Sequence, residues 1–219
     1  MTPVKLIDHT LLKPDTTEQD VARLCAEARQ YGFGAVCIPP FYVKHAVEQL
    51  EGEEDIKVAT VIGFPMGYSA TAAKVEEIKR AIDEGAHELD VVINLCAVKN
   101  GNWNFVRNDI DSMTRAAHLH GRIIKVILET ALLTDAEIEK LAAICTDVAP
   151  DFVKTSTGFN GGGATVEVVR KLRSLLPDHI QIKASGGIRD AATMQQMLEA
   201  GATRIGTSSG VAIAAELAG

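Results

Sequence analysis

Short runs rich in β-branched residues recur along this chain at a spacing that few folds accommodate. They begin at Lys5 (KLID), Ala35 (AVCIP), Val58 (VATVIGFP), Glu88 (ELDVVIN), Arg122 (RIIKVILE), Asp151 (DFVKTSTG), Ile180 (IQIKASGG) and Arg204 (RIGTSSG), separated by 30, 23, 30, 34, 29, 29 and 24 residues. One strand, one helix and two short loops fill such an interval, so the repeat predicts successive βαβ units on a parallel sheet. Eight units in 219 residues predict one α/β domain over 1–219, a (β/α)8 TIM barrel, compact for a fold of about 250 residues. An open doubly wound sheet would want a GxGxxG turn after its first strand, but the first run continues as His9-Thr10-Leu11-Leu12-Lys13-Pro14.

The intervals carry helix punctuation. Thr16-Thr17-Glu18-Gln19 reads as a capping box ahead of Val21, Leu24, Cys25 and Ala28, an apolar stripe that Gly32 closes. Thr134 and Glu137 repeat the device before Ile138, Leu141, Ala142 and Cys145. Val75, Ile78 and Ile82 run to Gly85, and Met194, Met197 and Leu198 to Gly201, so the Gly-Ala pairs 85/86 and 201/202 mark equivalent helix-to-strand corners.

Composition removes several function classes. With 47% hydrophobic and 23% charged residues the chain can bury a core, and a formal charge of -7 without a basic block argues against nucleic acid as a partner. MTPVKLIDHT lacks the apolar run of a leader, and the charge-free stretch 58–73 is broken by Gly63, Pro65, Gly67 and Ser69, so neither signal peptide nor membrane span is expected. Cys25, Cys37, Cys96 and Cys145 are scattered without a CxxC pair, which suits reduced thiols and a cytoplasmic location. Of the histidines only His9 falls near a strand's C-terminal end, and no HExxH is present, so no metal is expected.

A barrel's active site lies at the C-terminal ends of its strands. Four runs carry a charge where Val, Ile and Leu are the rule: Asp90, Lys125, Lys154 and Lys183. With Leu89, Val91, Val153, Thr155 and Ile182 turned to the helices, alternation puts Asp90, Lys154 and Lys183 in the lumen. Lys125 reads equally well turned to the helix layer, with Val126 and Leu128 inward, and stays outside the catalytic set. Lys154 and Lys183 sit in matching frames, VKTSTG and IKASGG, 29 residues apart, hence on neighbouring strands. A lone strand lysine usually reaches solvent past its neighbours, but two ammonium groups about 5 Å apart in the lumen have no structural benefit.

The benefit is chemical. A free lysine is neutral about once in 2,500 at pH 7, and only the neutral amine attacks a carbonyl. A second ammonium at about 5 Å, in an effective dielectric near 20, costs the charged form about 3 kcal/mol, some two pKa units. The pair therefore reads as a Schiff-base lysine and the neighbour that lowers its pKa, in an order the frames leave open. Asp90 reads as a carboxylate that holds or relays a proton, with a plain neutralising salt bridge as the competing reading. Ser185-Gly186-Gly187, Gly206-Thr207-Ser208-Ser209-Gly210, Thr157-Gly158 and Gly161-Gly162-Gly163 cluster after strands six to eight, where amides and a helix terminus can bind phosphate. Cys37, on the second strand, either lines this pocket or is a small core residue.

IDHTLL (7–12), AVCIPP (35–40), LDVVIN (89–94), FVKTSTGF (152–159), KASGGIR (183–189) and GTSSG (206–210) together resemble the deoxyribose-phosphate aldolases, a class I aldolase family, over nearly the whole chain. The resemblance implies reversible cleavage of 2-deoxy-D-ribose 5-phosphate to D-glyceraldehyde 3-phosphate and acetaldehyde, with no metal or organic cofactor. It implies Lys154 as the Schiff-base lysine, Lys183 as the pKa-lowering partner and Asp90 as the proton relay. Gly158, Gly186, Gly187, Ser208 and Ser209 match phosphate-holding positions, to which the sequence adds Thr157. Some family members carry a polar tail ending in tyrosine beyond the point where GVAIAAELAG stops, so proton transfer here is expected to use the pocket's own groups. The expected partner is a small phosphorylated sugar and the expected assembly a homo-oligomer, dimer or tetramer. Competing readings are a transaldolase-type aldolase, a phosphosugar isomerase, and a silent phosphosugar-binding protein whose lysines are only anion ligands.

Overall fold

The computed structural model describes residues 3–219, so the first two positions of MTPVKLIDHT lie outside the described residues. Eight parallel strands close into a barrel in sequence order: β1 (Ile7–Thr10), β2 (Ala35–Ile38), β3 (Lys57–Ile62), β4 (Glu88–Val92), β5 (Ile123–Ile127), β6 (Phe152–Lys154), β7 (Gln181–Ser185) and β8 (Arg204–Thr207). The helices around them are α1 (Glu18–Tyr31), α2 (Val43–Gln49), α3 (Thr71–Asp83), α4 (Leu95–Lys99), α5 (Trp103–His118), α6 (Asp135–Val148), α7 (Val166–Leu175), α8 (Ala191–Glu199) and α9 (Gly210–Ala218). The single-domain (β/α)8 barrel expected from the repeat is the fold observed.

Local signals match to within a residue or two. Residues Pro3–Leu6 form a 3-10 turn, so β1 starts at Ile7 and not at Lys5. The first capping box is Thr17 with Asp20, one residue past the expected Thr16–Gln19 pair. Thr16 is otherwise engaged, since its amide and hydroxyl both donate to the Lys13 carbonyl at 3.2 and 2.7 Å. The Thr134–Glu137 box forms as read. At both Gly-Ala corners the alanine amide reaches back to the helix, Ala86 to Ala81 and Ala202 to Met197, at 2.9 and 3.0 Å.

Strand register decides what fills the barrel. Residues paired across parallel strands share a face, and Asp90 pairs with Lys125, Ile127 with Lys154, and Lys154 with Lys183. Lys125 therefore points into the lumen with Asp90, which selects one of the two orientations that the sequence left open, and Val126 and Leu128 pack in the apolar shell under the helices. Barrel interiors are ordinarily layered with aliphatic side chains, but here Asp8, Asp90, Lys125 and Lys183 are each 0% exposed in the lumen.

Candidate active site

Lys154 ends β6, and its side chain, only 3% exposed, borders a cleft of about 340 Å³ at the C-terminal rim of the barrel. Its Nζ donates to Asp90 Oδ2 at 2.8 Å. Lys183 Nζ donates to the same oxygen at 2.7 Å and also to Asp8 Oδ2, while Lys125 Nζ donates to Asp90 Oδ1 at 2.8 Å. Asp90 thus joins three lysines, and its carboxyl is held well below the usual range because those cations outweigh the burial that would raise it.

The two lysines that the sequence could not rank differ in their surroundings. Burial lowers the Lys154 pKa and the Lys183 ammonium lowers it further, against an opposing pull from Asp90. Lys183 is also fully buried, yet Asp8 and Asp90 together overcome that burial and raise its pKa. The poorly compensated amine is therefore the one facing the cleft. Lys183 fits the lumen because β8 carries Gly206 beneath it, where an added Cβ would stand 2.9 Å from the Lys183 Cε.

The cleft wall collects most of the expected anion-binding residues: Thr157, Gly158, Gly186, Gly187 and Ser208. Among the described residues, the amides of Gly158, Gly186, Gly187 and Ser208 donate to no protein acceptor, so they remain available to an anion. Ser209, at the N-cap position of α9, follows Ser208 but is not itself on this wall, and its amide is taken by the Thr207 hydroxyl at 2.9 Å. Cys37 is fully buried in the lumen with Ala59 and Val61 and is not on the cleft wall; burial, with the Asp90 charge, pushes its thiol up. The loops after β6 and β7 meet backbone to backbone, where Ala164 N donates to the Ser185 carbonyl at 3.0 Å. A Cβ on Gly163 would lie 2.3 Å from the Gly186 oxygen, and Gly186 itself has φ +85°, so this contact requires glycine on both sides.

Several residues at the site carried no sequence-level assignment. Lys13 and Arg189 add two cations to the cleft wall. Asp8 anchors Lys183 from β1, and its charge in IDHT was the available signal. Glu129, just past β5, accepts from Thr157 N at 3.1 Å, from the Thr157 hydroxyl and from Asn160 Nδ2 at 2.9 Å. Its backbone is left-handed, φ 59°, a conformation costing a non-glycine residue about 1–3 kcal/mol that these bonds offset. A larger hollow of about 600 Å³ lies between α2 and β3, lined by Glu48, Glu51, Glu53 and Glu54, and none of the lumen lysines or the glycine-rich loops after β6 to β8 borders it. Among the described residues, no group of three or more His, Cys, Asp or Glu is arranged to hold a metal ion.

The chain has close relatives among known proteins. The model of the DeoC/LacD family aldolases matches residues 2–216. The chain is 53% identical over 208 residues to a deoxyribose-phosphate aldolase of Desulfitobacterium hafniense, covering 95% of each, and 51% identical over 210 residues to one of Thermococcus gammatolerans, covering 95% of this chain and 93% of the relative. A tetrameric deoxyribose phosphate aldolase from Aeropyrum pernix superposes with a TM-score of 0.90 at 36% identity, over 97% of this chain and 89% of that one. A buried lysine whose pKa is lowered at the mouth of an amide-lined cleft fits this company, and the family match over residues 2–216 with half the positions identical to these enzymes makes this protein a member of the DeoC/LacD aldolase family.

Proposed function

We propose that the chain is a deoxyribose-phosphate aldolase working through an imine on Lys154. The observation that carries this reading is the contrast between the two lysines: Lys154 is poorly compensated and faces the cleft, whereas Lys183 is fixed as a cation by two carboxylates. The neutral Lys154 amine attacks the aldehyde carbon of open-chain 2-deoxyribose 5-phosphate, and the carbonyl electron pair moves to oxygen and takes a proton. Loss of water leaves an iminium, the electron sink for the next step. The β-hydroxyl gives up its proton, the bond between the α and β carbons breaks, and glyceraldehyde 3-phosphate departs as the pair settles in an enamine. Protonation of the enamine at carbon and addition of water release acetaldehyde and the free amine. Asp90 Oδ2, 2.8 Å from Lys154 Nζ, is positioned to exchange protons directly or through water. Phosphate would rest against the amides of Gly158, Gly186, Gly187 and Ser208, with Thr157 on the same wall, Ser209 next in sequence to Ser208, and Lys13 and Arg189 supplying charge.

This reading calls on no metal or organic cofactor, because the amine itself is the electrophilic catalyst once it forms the iminium. It treats residues 1–219 as one catalytic domain. Among the described residues no helix is long and apolar enough to cross a membrane, which is compatible with the expected work in the cytoplasm. A dimer or tetramer is the expected assembly, and light scattering coupled to gel filtration decides between them.

The test is trapping. Acetaldehyde followed by borohydride should add one N-ethyl group per chain in the intact mass, and peptide mapping should find it on Lys154. An unmodified mass at saturating acetaldehyde would remove the aldolase reading. A second expectation concerns Glu129, which holds the Thr157 loop. Glu129→Ala should raise KM for the phosphorylated substrate about tenfold, equivalent to about 1.4 kcal/mol, while acetaldehyde trapping at Lys154 stays near normal. Steady-state kinetics beside trapping checks it, and equal losses in both would make Glu129 a general fold element.

A further inference from the structure

The charges beneath the reacting amine form one column. Arg204 enters from the N-terminal end of the barrel, its Nη1 2.7 Å from Asp8 Oδ1 and 3.1 Å from Glu88 Oε2. Lys125 Nζ stands 2.5 Å from Glu88 Oε2 and 3.4 Å from Asp8 Oδ2, and it holds Asp90 Oδ1. The other Asp90 oxygen receives Lys183 and Lys154. Three carboxylates, Asp8, Glu88 and Asp90, therefore meet three cations, Lys125, Lys183 and Arg204, before Lys154 is counted. Protonating Lys154 would leave the buried column one positive charge in excess. Glu129 belongs to the loop contacts with Thr157 and Asn160, and the buried Lys74–Asp109 pair, 2.6 Å apart, joins α3 to α5, so neither enters the column.

We propose that Glu88, Lys125 and Arg204 are positioning residues that hold the lumen neutral when Lys154 is uncharged, making the nucleophilic amine the resting form. None of the three is on the cleft wall, and Glu88 and Arg204 line a separate opening on the N-terminal face with Lys57, His87 and Arg122. The groups facing Lys154 are Asp90 from β4, Lys183 from β7 and the Cys37 thiol from β2; the floor residues act on it through Asp90 and Lys183. The directions on the column agree. Burial would lower the Lys125 pKa, but Asp90, Glu88 and Asp8 raise it well above the usual range, whereas the Lys154 pKa is lowered. A lysine joined to Lys154 through one carboxylate makes the amine harder to protonate, and a carboxylate one step further away does the reverse.

The inference rests on Lys154 being the imine-forming amine, and its test separates the two claims. The acid limb of kcat/KM reports the free enzyme's essential base, and acetaldehyde trapping followed against pH gives a second midpoint. Lys125→Met removes a cation, so Lys154 should hold its proton to higher pH, with both midpoints rising by about one to two units. Glu88→Gln removes an anion and should lower them by about half a unit to one unit, and the double variant should return towards the parent. Lys125→Arg keeps the charge and should keep the midpoint, which guards against a fold defect in the Met variant. Shifts in one direction for both single variants, or folded variants with unmoved midpoints, would overturn the charge-setting role. Absence of trapping in the parent at every pH would instead remove the imine reading beneath it.

Discussion

Lys154→Arg should fold normally and lose turnover by on the order of 10⁴-fold or more, with no trapped adduct from acetaldehyde at any pH. Folding survives because a guanidinium can take over the hydrogen bond to Asp90 and because Lys154 ends its strand at the mouth of the cleft, where a longer side chain has room and its charge can reach water. Activity does not survive, because a guanidinium stays protonated throughout the working range and offers no lone pair to a carbonyl. The loss should be in kcat with substrate binding largely retained, since the amides of Gly158, Gly186, Gly187 and Ser208 are untouched. Circular dichroism, steady-state kinetics and intact mass after borohydride check the three parts. A full-sized adduct in the Arg variant, mapped to Lys183, would reverse the roles of the two lysines.

The residues that were legible in the sequence share one property: their place followed from a repeat. Lys154 and Lys183 stand at the same offset in frames 29 residues apart, so the βα period alone puts them side by side, as their pairing across β6 and β7 shows. Asp90 followed from the alternation of ELDVV, whose neighbours Leu89 and Val91 belong to the helix-facing layer. Lys125 was not legible because alternation within IIKVI has two solutions, and only its pairing with Asp90 on the next strand selects one. Glu88 lies two residues before Asp90, so parity places both carboxylates inward, yet one acid at a strand start reads as an ordinary solvated end. Glu129 escaped for another reason: its left-handed backbone ends the strand's alternation, and its role is set by Thr157 and Asn160, about thirty residues further on. Lys13 and Arg189 sit on loops, where no period constrains direction.

Lys183→Met should cut imine formation at pH 7 by about ten- to a hundredfold and allow it to recover near pH 9. Met keeps the unbranched stem that lies over Gly206 and removes only the ammonium, so a cavity is not the cause. The sign follows from what surrounds Lys154. Burial and the Lys183 cation both lower its pKa while Asp90 raises it. Deleting that cation leaves burial in place but gives Lys154 sole claim on Asp90 Oδ2, an oxygen that Lys154 Nζ and Lys183 Nζ otherwise share at 2.8 and 2.7 Å. The Lys154 pKa should therefore climb by about one to two units, and the neutral fraction at pH 7 should fall in proportion. The same change should destabilise the fold by about 1–3 kcal/mol, because Asp8 loses one buried partner but keeps Arg204 at 2.7 Å and Lys125 at 3.4 Å. Trapping at pH 7 and pH 9, beside urea unfolding at both, separates the electrostatic effect from the structural one: unfolding should be weakened at both pH values, whereas trapping should recover only at the higher. Normal trapping at pH 7 in a folded Lys183→Met variant would show that burial alone keeps the Lys154 amine neutral.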